Sequence, residues 1–149
     1  MENRFDFDFD AYSIPEIDEN EELKIRSQLN KNRKHAIVLV CVYKYHPINK
    51  NMLCNLLKMD RSYISFVLSI LENKGLLSYK TPLDIGDFSE PIDNMIAKKH
   101  KEYISKTKMP EHLRMRLNNI TYYYPSILAE KFIPFCVQKV LNKELRVKV

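Results

Sequence analysis

Residues 49–75, NKNMLCNLLKMDRSYISFVLSILENKG, constrain the fold more than any other stretch, because they set two capped helices in succession across one tight turn. Asn49 is a good N-cap, since its side-chain oxygen can accept a backbone N–H left open at a helix start. Behind it Met52, Leu53, Leu56 and Leu57 fall on one helical face. After a turn at Met59, Asp60 caps a second helix, where its negative charge is also favourable. At about 100° per residue, Ile64, Val67, Leu68 and Leu71 form one apolar stripe, which Tyr63, Phe66 and Ile70 widen. The opposite side carries Arg61, Ser62, Ser65, Ser69, Glu72 and Asn73. Gly75 follows as a C′ glycine, and LLSYK then alternates like a strand.

The surrounding chain is mostly helical in pattern. From Glu19 to Lys31 acids precede bases, with Leu23, Ile25 and Leu29 apolar, which suits a leading helix and its macrodipole. Residues 34–45, KHAIVLVCVYKY, fit a buried strand or a helix by period, and the helices that follow favour the helix. Residues 82–91, PLDIGDFSEP, read as the tip of a hairpin and its return. Pro91 opens a further helix with Ile92, Met95, Ile96, Tyr103 and Ile104 inward and an outer face rich in lysine at Lys98, Lys99, Lys101, Lys106 and Lys108. Helical spacing continues through Leu113, Leu117, Ile120 and Tyr124. A last segment from Ser126 should kink or divide at Pro134, and LRVKV ends the chain with a weak strand-like alternation. The expected fold class is mainly α (α+β), one domain over residues 19–149 behind an arm at 1–18. In that arm, residues 5–10 alternate phenylalanine and aspartate, a pattern that fits a mobile arm better than an edge strand beside Pro15.

Two short helices, a Gly and a strand compose a helix-turn-helix with a wing. Residues 57–65, LKMDRSYIS, continued by residues 71–77, LENKGLL, resemble the core motif of MarR-type winged-helix regulators, and more loosely the wider winged-helix superfamily. Cys54 falls where that pattern wants a small buried residue, and the resemblance spans about residues 36–80. It implies a winged helix-turn-helix with a small β-wing, and N- and C-terminal helices that build a homodimer. It makes Arg61, Ser62, Ser65 and Ser69 the groove-facing candidates, extended by Asn73. Lys50, Asn51 and Lys58, together with Lys80, Lys98 and Lys99, are the candidates for phosphate. Serine hydroxyls pair with several base edges, whereas Arg61 can read guanine with two bonds, so specificity would rest on Arg61. Two positions depart from the family: Phe66 stands where an arginine is common, and Asp84, Asp87 and Glu90 stand where a DNA-binding wing carries Arg or Lys.

Charge and composition bound the partners. Residues 1–22 hold nine acids against Arg4, a net of −8, and the remainder holds 23 bases against 10 acids, a net of +13. A body so basic favours polyanions. With only Gly75 and Gly86, phosphate-cradling glycine loops are excluded. Cys41, Cys54 and Cys136 lack C-x-x-C spacing and read as core residues of a reducing compartment. His35, His46, His100 and His112 are too scattered for a ligand set, so no metal or cofactor is expected. No apolar run reaches the roughly 18 residues of a membrane span, and the location expected is cytoplasmic. Tyr122, Tyr123 and Tyr124, near His112, Arg114 and Arg116, lack an accompanying acid or metal cluster and read as interface packing. The leading expectation is therefore a non-enzymatic homodimer that binds double-stranded DNA in transcription regulation. The alternative is a winged-helix interaction module of a larger assembly, with the acidic wing and the arm as docking surfaces for a protein partner.

Overall fold

The computed structural model describes residues 17–84, 91–106 and 119–141. The chain enters through α1 (Glu19–Lys31), whose first turn is capped by Asp18 accepting from the Asn20 N–H at 3.3 Å. The acids of that turn and Lys31 in the last one complement the helix dipole as the sequence suggests. The run at 34–45 folds as a helix, α2 (Arg33–Tyr45), as expected, and its buried residues Ala36, Val38, Leu39, Val42 and Tyr43 place it at the centre of the core. A helix of 13 residues with so many buried positions must be packed around most of its circumference, which is why its sequence shows no clear polar face.

A two-residue strand β1 (Ile48–Asn49) leads into α3 (Lys50–Leu57), and α4 (Arg61–Asn73) follows after the turn. Both caps form as the side-chain chemistry demands. Asn49 accepts from the Met52 N–H at 2.9 Å, and Asp60 accepts from the Ser62 N–H at 3.1 Å. Lys58 turns the chain with φ of 56°, and Gly75 closes α4 with φ of 75°. There the Gly75 N–H donates to the Glu72 carbonyl and the Leu76 N–H to the Leu71 carbonyl, the paired bonds of a Schellman ending. The inner stripe of α4, namely Ile64, Val67, Leu68 and Leu71, is buried.

Beyond α4 the chain departs from expectation. β2 (Leu77–Lys80) runs into a 3-10 turn (Pro82–Asp84), and its antiparallel partner is β3 (Tyr122–Pro125), some forty residues onward. Of the hairpin expected over residues 82–91, Pro82–Asp84 form that 3-10 turn and Pro91 opens α5 (Pro91–Lys106), while residues 85–90 lie outside the described residues. β3 also pairs with β1, with Ile48 opposite Tyr123 and Asn49 opposite Tyr122, so the sheet order is β1-β3-β2. The helical spacing expected to run on to Tyr124 therefore ends in a strand. Aromatic residues in succession favour the pleated state, and Tyr79 and Tyr123 face each other across the strands with ring centroids 6.0 Å apart.

After β3 come a 3-10 turn (Leu128–Lys131), one turn of α6 (Ile133–Phe135) and a π-helical stretch (Cys136–Leu141). Pro134 sits in the first turn of α6, where its missing N–H is no loss, and the segment divides there, as expected, between the 3-10 turn and α6. This segment packs on α1 and α2 through Phe132, Ile133 and Cys136, and Lys131 pairs with Glu22 at 2.9 Å. Described as a whole, the chain is mainly helical with a small three-stranded antiparallel sheet. Among the described residues no helix is long and apolar enough to cross a membrane. The arm at residues 5–10, together with Gly86, Asp87, Glu90, Lys108, His112, Leu113, Arg114, Arg116, Leu117 and the final LRVKV, lies outside the described residues, as does the side chain of Asp84.

Candidate nucleic-acid interface

The caps that start α3 and α4 bring the two helix N-termini, with their partial positive charge, to one side of the molecule. Arg61, the first residue of α4, donates to the Asn51 side-chain oxygen at 3.0 Å, and the Asn51 amide donates to the Tyr103 hydroxyl at 2.9 Å. One chain of hydrogen bonds therefore ties α4 to α3 and α3 to α5. It borders an open polar cleft of about 360 Å³ lined by Lys50, Arg61, Tyr103, Asn119 and Thr121 among others. Arg61 and Lys50, with the helix ends beside them, make this cleft electropositive, and the exposed Lys58 stands in the adjoining turn.

From this cleft the outer face of α4 runs along the surface. Ser62, Ser69 and Asn73 are exposed and Ser65 is half-buried, so no other described part of the chain covers the serine side. Phe66 lies between Ser62 and Ser69 on the same face and is 57% exposed. It meets the His35 ring edge-on at 6.4 Å and Tyr63 at the same distance, with the Lys34 ammonium 5.5 Å from the Tyr63 ring centre. The flank of the apolar stripe therefore ends as an aromatic patch on the surface of this chain, with His35 beneath it. Burial, reinforced by Lys74, holds the His35 imidazole below its ordinary pKa.

The other candidate cations divide. Lys98 and Lys101 are exposed on α5. Lys80 is held by Asp93 at 2.9 Å, and Lys99 donates to the Tyr45 carbonyl at 2.8 Å, so both ammonium groups face structural partners. These two contacts help fasten α5 to β2 and to the end of α2. A third fastening joins His100 and Tyr122, whose Nδ1 and hydroxyl are 2.9 Å apart in a buried, edge-on arrangement. Sequence reasoning placed Met95 inward, yet it is 38% exposed, while Asp93 and His100 are buried. Their partners on β2 and β3 are the cause, and no local periodicity carries that information.

Burial pushes the Tyr122 phenol up to about 12, with the Asn49 amide partly offsetting the rise, and it raises Tyr123 as well. Two protonated, buried phenols in a sheet are poor nucleophiles, which fits the packing role read from sequence, here within one chain. The Cys41 and Cys136 thiols are likewise raised by burial, to about 11 and about 12, and are inert by the same reasoning. Among the described residues no group of three or more His, Cys, Asp or Glu side chains is placed to hold a metal ion. No family model, curated protein or solved structure matches the chain.

Proposed function

We propose that the chain is a winged-helix protein that binds double-stranded DNA through the outer face of α4, acting as a homodimer in transcription regulation. Three observations support the fold assignment: the element order α2-β1-α3-α4-β2, the return strand β3, and the sheet order β1-β3-β2. In this reading residues 81–121 enlarge the wing into a helical insert, and the exposed lysines of α5 supply the positive charge that acidic residues at 84–90 withhold. The observation that carries the reading is the uncovered serine side of α4, led by Arg61 and flanked by Lys50, Lys58 and two helix N-termini. Phosphates would be held at the helix ends and lysines, and bases would be read by Arg61 in a major groove about 12 Å wide. In a homodimer the two α4 helices would lie about 34 Å apart on a palindromic site.

The test is selection of bound duplexes from a random pool by the full chain, followed by titration of the enriched site. Arg61→Ala should weaken that site by about 1–3 kcal/mol and reduce discrimination between sequences. Unchanged discrimination in the variant would refute the assignment of Arg61. A second reading is a protein-docking module, favoured by Phe66, an aromatic side chain exposed in the middle of the face that would enter the groove. Under that reading, duplex affinity would be weak at all salt concentrations and Phe66→Ala would abolish association with the protein partner.

A further inference from the structure

A second groove adjoins the polar cleft and shares Tyr103 with it. It runs between α3 and the second half of α5 and measures about 630 Å³, within the roughly 300–1,000 Å³ span of clefts that hold a ligand. Its floor is apolar: Ile48, Met52, Tyr45 and Leu56, the last 48% exposed with nothing from the described residues above it. Lys99 and Lys106 stand on its rim with one acid, Glu102, between them, and the exposed Lys98 and Lys101 lie on the same helix. An exposed leucine beside a tyrosine, edged by lysines, fits an extended peptide whose apolar and acidic residues alternate.

This chain carries such a peptide. Residues 5–10 read FDFDFD, and in an extended strand the three phenylalanines fall on one side and the three aspartates on the other. We infer that residues 5–10 of the chain dock in this groove of the same molecule, with phenylalanines on the Met52 and Leu56 floor and aspartates within reach of the rim lysines. Reach is adequate: ten residues separate Phe7 from Ile17, about 33 Å when extended, close to the full diameter, about 36 Å, of a body with a radius of gyration of about 14 Å. Residues 107–118 also adjoin the end of α5, but Lys108, Arg114 and Arg116 give them the sign of the rim rather than its complement. A short tether supplies an effective concentration in the millimolar range, which favours the arm of the same molecule over that of a second copy.

Docking there sets acids beside the Tyr103, Asn51 and Arg61 relay. The consequence that the arm competes with duplex rests on the DNA-binding reading, while the docking itself does not. The experiment places a benzophenone side chain at position 7 of the full chain, illuminates it and maps the linked peptides by mass spectrometry. The expected product has the mass of one chain, joins position 7 to residues 45–56 or 99–106, and disappears in Leu56→Asp, an exposed position where the charge is compatible with folding. Links elsewhere, a product of two chains only, or the same links in Leu56→Asp would overturn the inference. In parallel, replacing Phe5, Phe7 and Phe9 by alanine should tighten duplex binding about tenfold, the gain on removing a competitor that occupies the site nine-tenths of the time. Correct links with no duplex binding by either protein would uphold the docking and sink the DNA reading alone.

Discussion

Lys80 and Asp93 hold the α5 insert to the sheet, and the two ends of that ion pair should respond unequally to mutation. The Asp93 side chain is 6% exposed and the Lys80 side chain 26%, with 2.9 Å between the charged atoms. Removing the lysine, as in Lys80→Met, strands a carboxylate that cannot reach water without moving the helix, a class of change that costs about 3–5 kcal/mol. Asp93 lies in the first turn of α5, where the helix dipole offsets part of that penalty, so the low end, about 3 kcal/mol, is expected. Asp93→Asn keeps the shape and leaves an ammonium that is already partly solvated, so the loss should be nearer 1 kcal/mol. Urea unfolding of the full chain gives both values, and amide exchange within α5 reports whether the insert loosens before the rest. Equal losses, or a larger loss in Asp93→Asn, would refute the reasoning that burial of the carboxylate controls the pair.

Other expectations follow from single features. Alanine at both Lys98 and Lys101 should lower the slope of log affinity against log salt by about 1.8 per protomer bound, at roughly 0.9 per phosphate contact, and an unchanged slope would remove α5 from the interface. At Gly75 an added Cβ would meet only the Leu128 Cδ2 at 3.8 Å, so Gly75→Ala should lower stability by about 1 kcal/mol through its positive φ alone, and Gly75→Asn by less. Glu130 is 9% exposed, with its Oε2 making no hydrogen bond among the described residues, and burial raises its pKa above 4.5. The folded state therefore gains from the proton, so its contribution is fully present below pH 4.5 and is lost as pH rises through the raised value. Glu130→Gln should raise the melting temperature at pH 7 and have no stabilising effect below pH 4.5. His35 runs the other way. Its lowered pKa means that stability present above about pH 6.5 falls as the pH drops, and His35→Gln should flatten that fall.

The parts of the fold that were legible in the sequence are those whose determinants lie within one helical turn. Asn49 and Asp60 announce helix starts because an N-cap bonds to a backbone N–H two or three residues on, and Gly75 announces an end because its neighbours leave only a left-handed residue to close the ladder. Arg61 and the serines of α4 were legible for the same reason, since their face is fixed by the stripe on the opposite side. The partner of β2 was not legible, because pairing across some forty residues leaves no local trace. Ile120 and Tyr124 are four apart, a spacing that a helix and a strand both allow. Lys80 and Lys99 looked like free cations in a list of charges, yet Asp93 and the Tyr45 carbonyl claim them through contacts that only the folded insert creates. Phe66 reads in the sequence as a widening of the apolar stripe, and the helix turns it outward because Ile64, Val67, Leu68 and Leu71 already fill the inward side.

The central claim is that the α4 face and its flanking cations grip duplex DNA, and a salt titration tests it most directly. Lys58, Lys98 and Lys101 are exposed and Lys50 is half-buried, four cations assigned to phosphate, which sets a slope of about −3.6 for one protomer. Fluorescence anisotropy of a labelled duplex carrying one half-site, with the full chain, should then show affinity falling about 150-fold per protomer bound between 50 and 200 mM salt. An affinity that stays flat across that range would contradict the account and leave the exposed aromatic patch around Phe66 as the surface that matters.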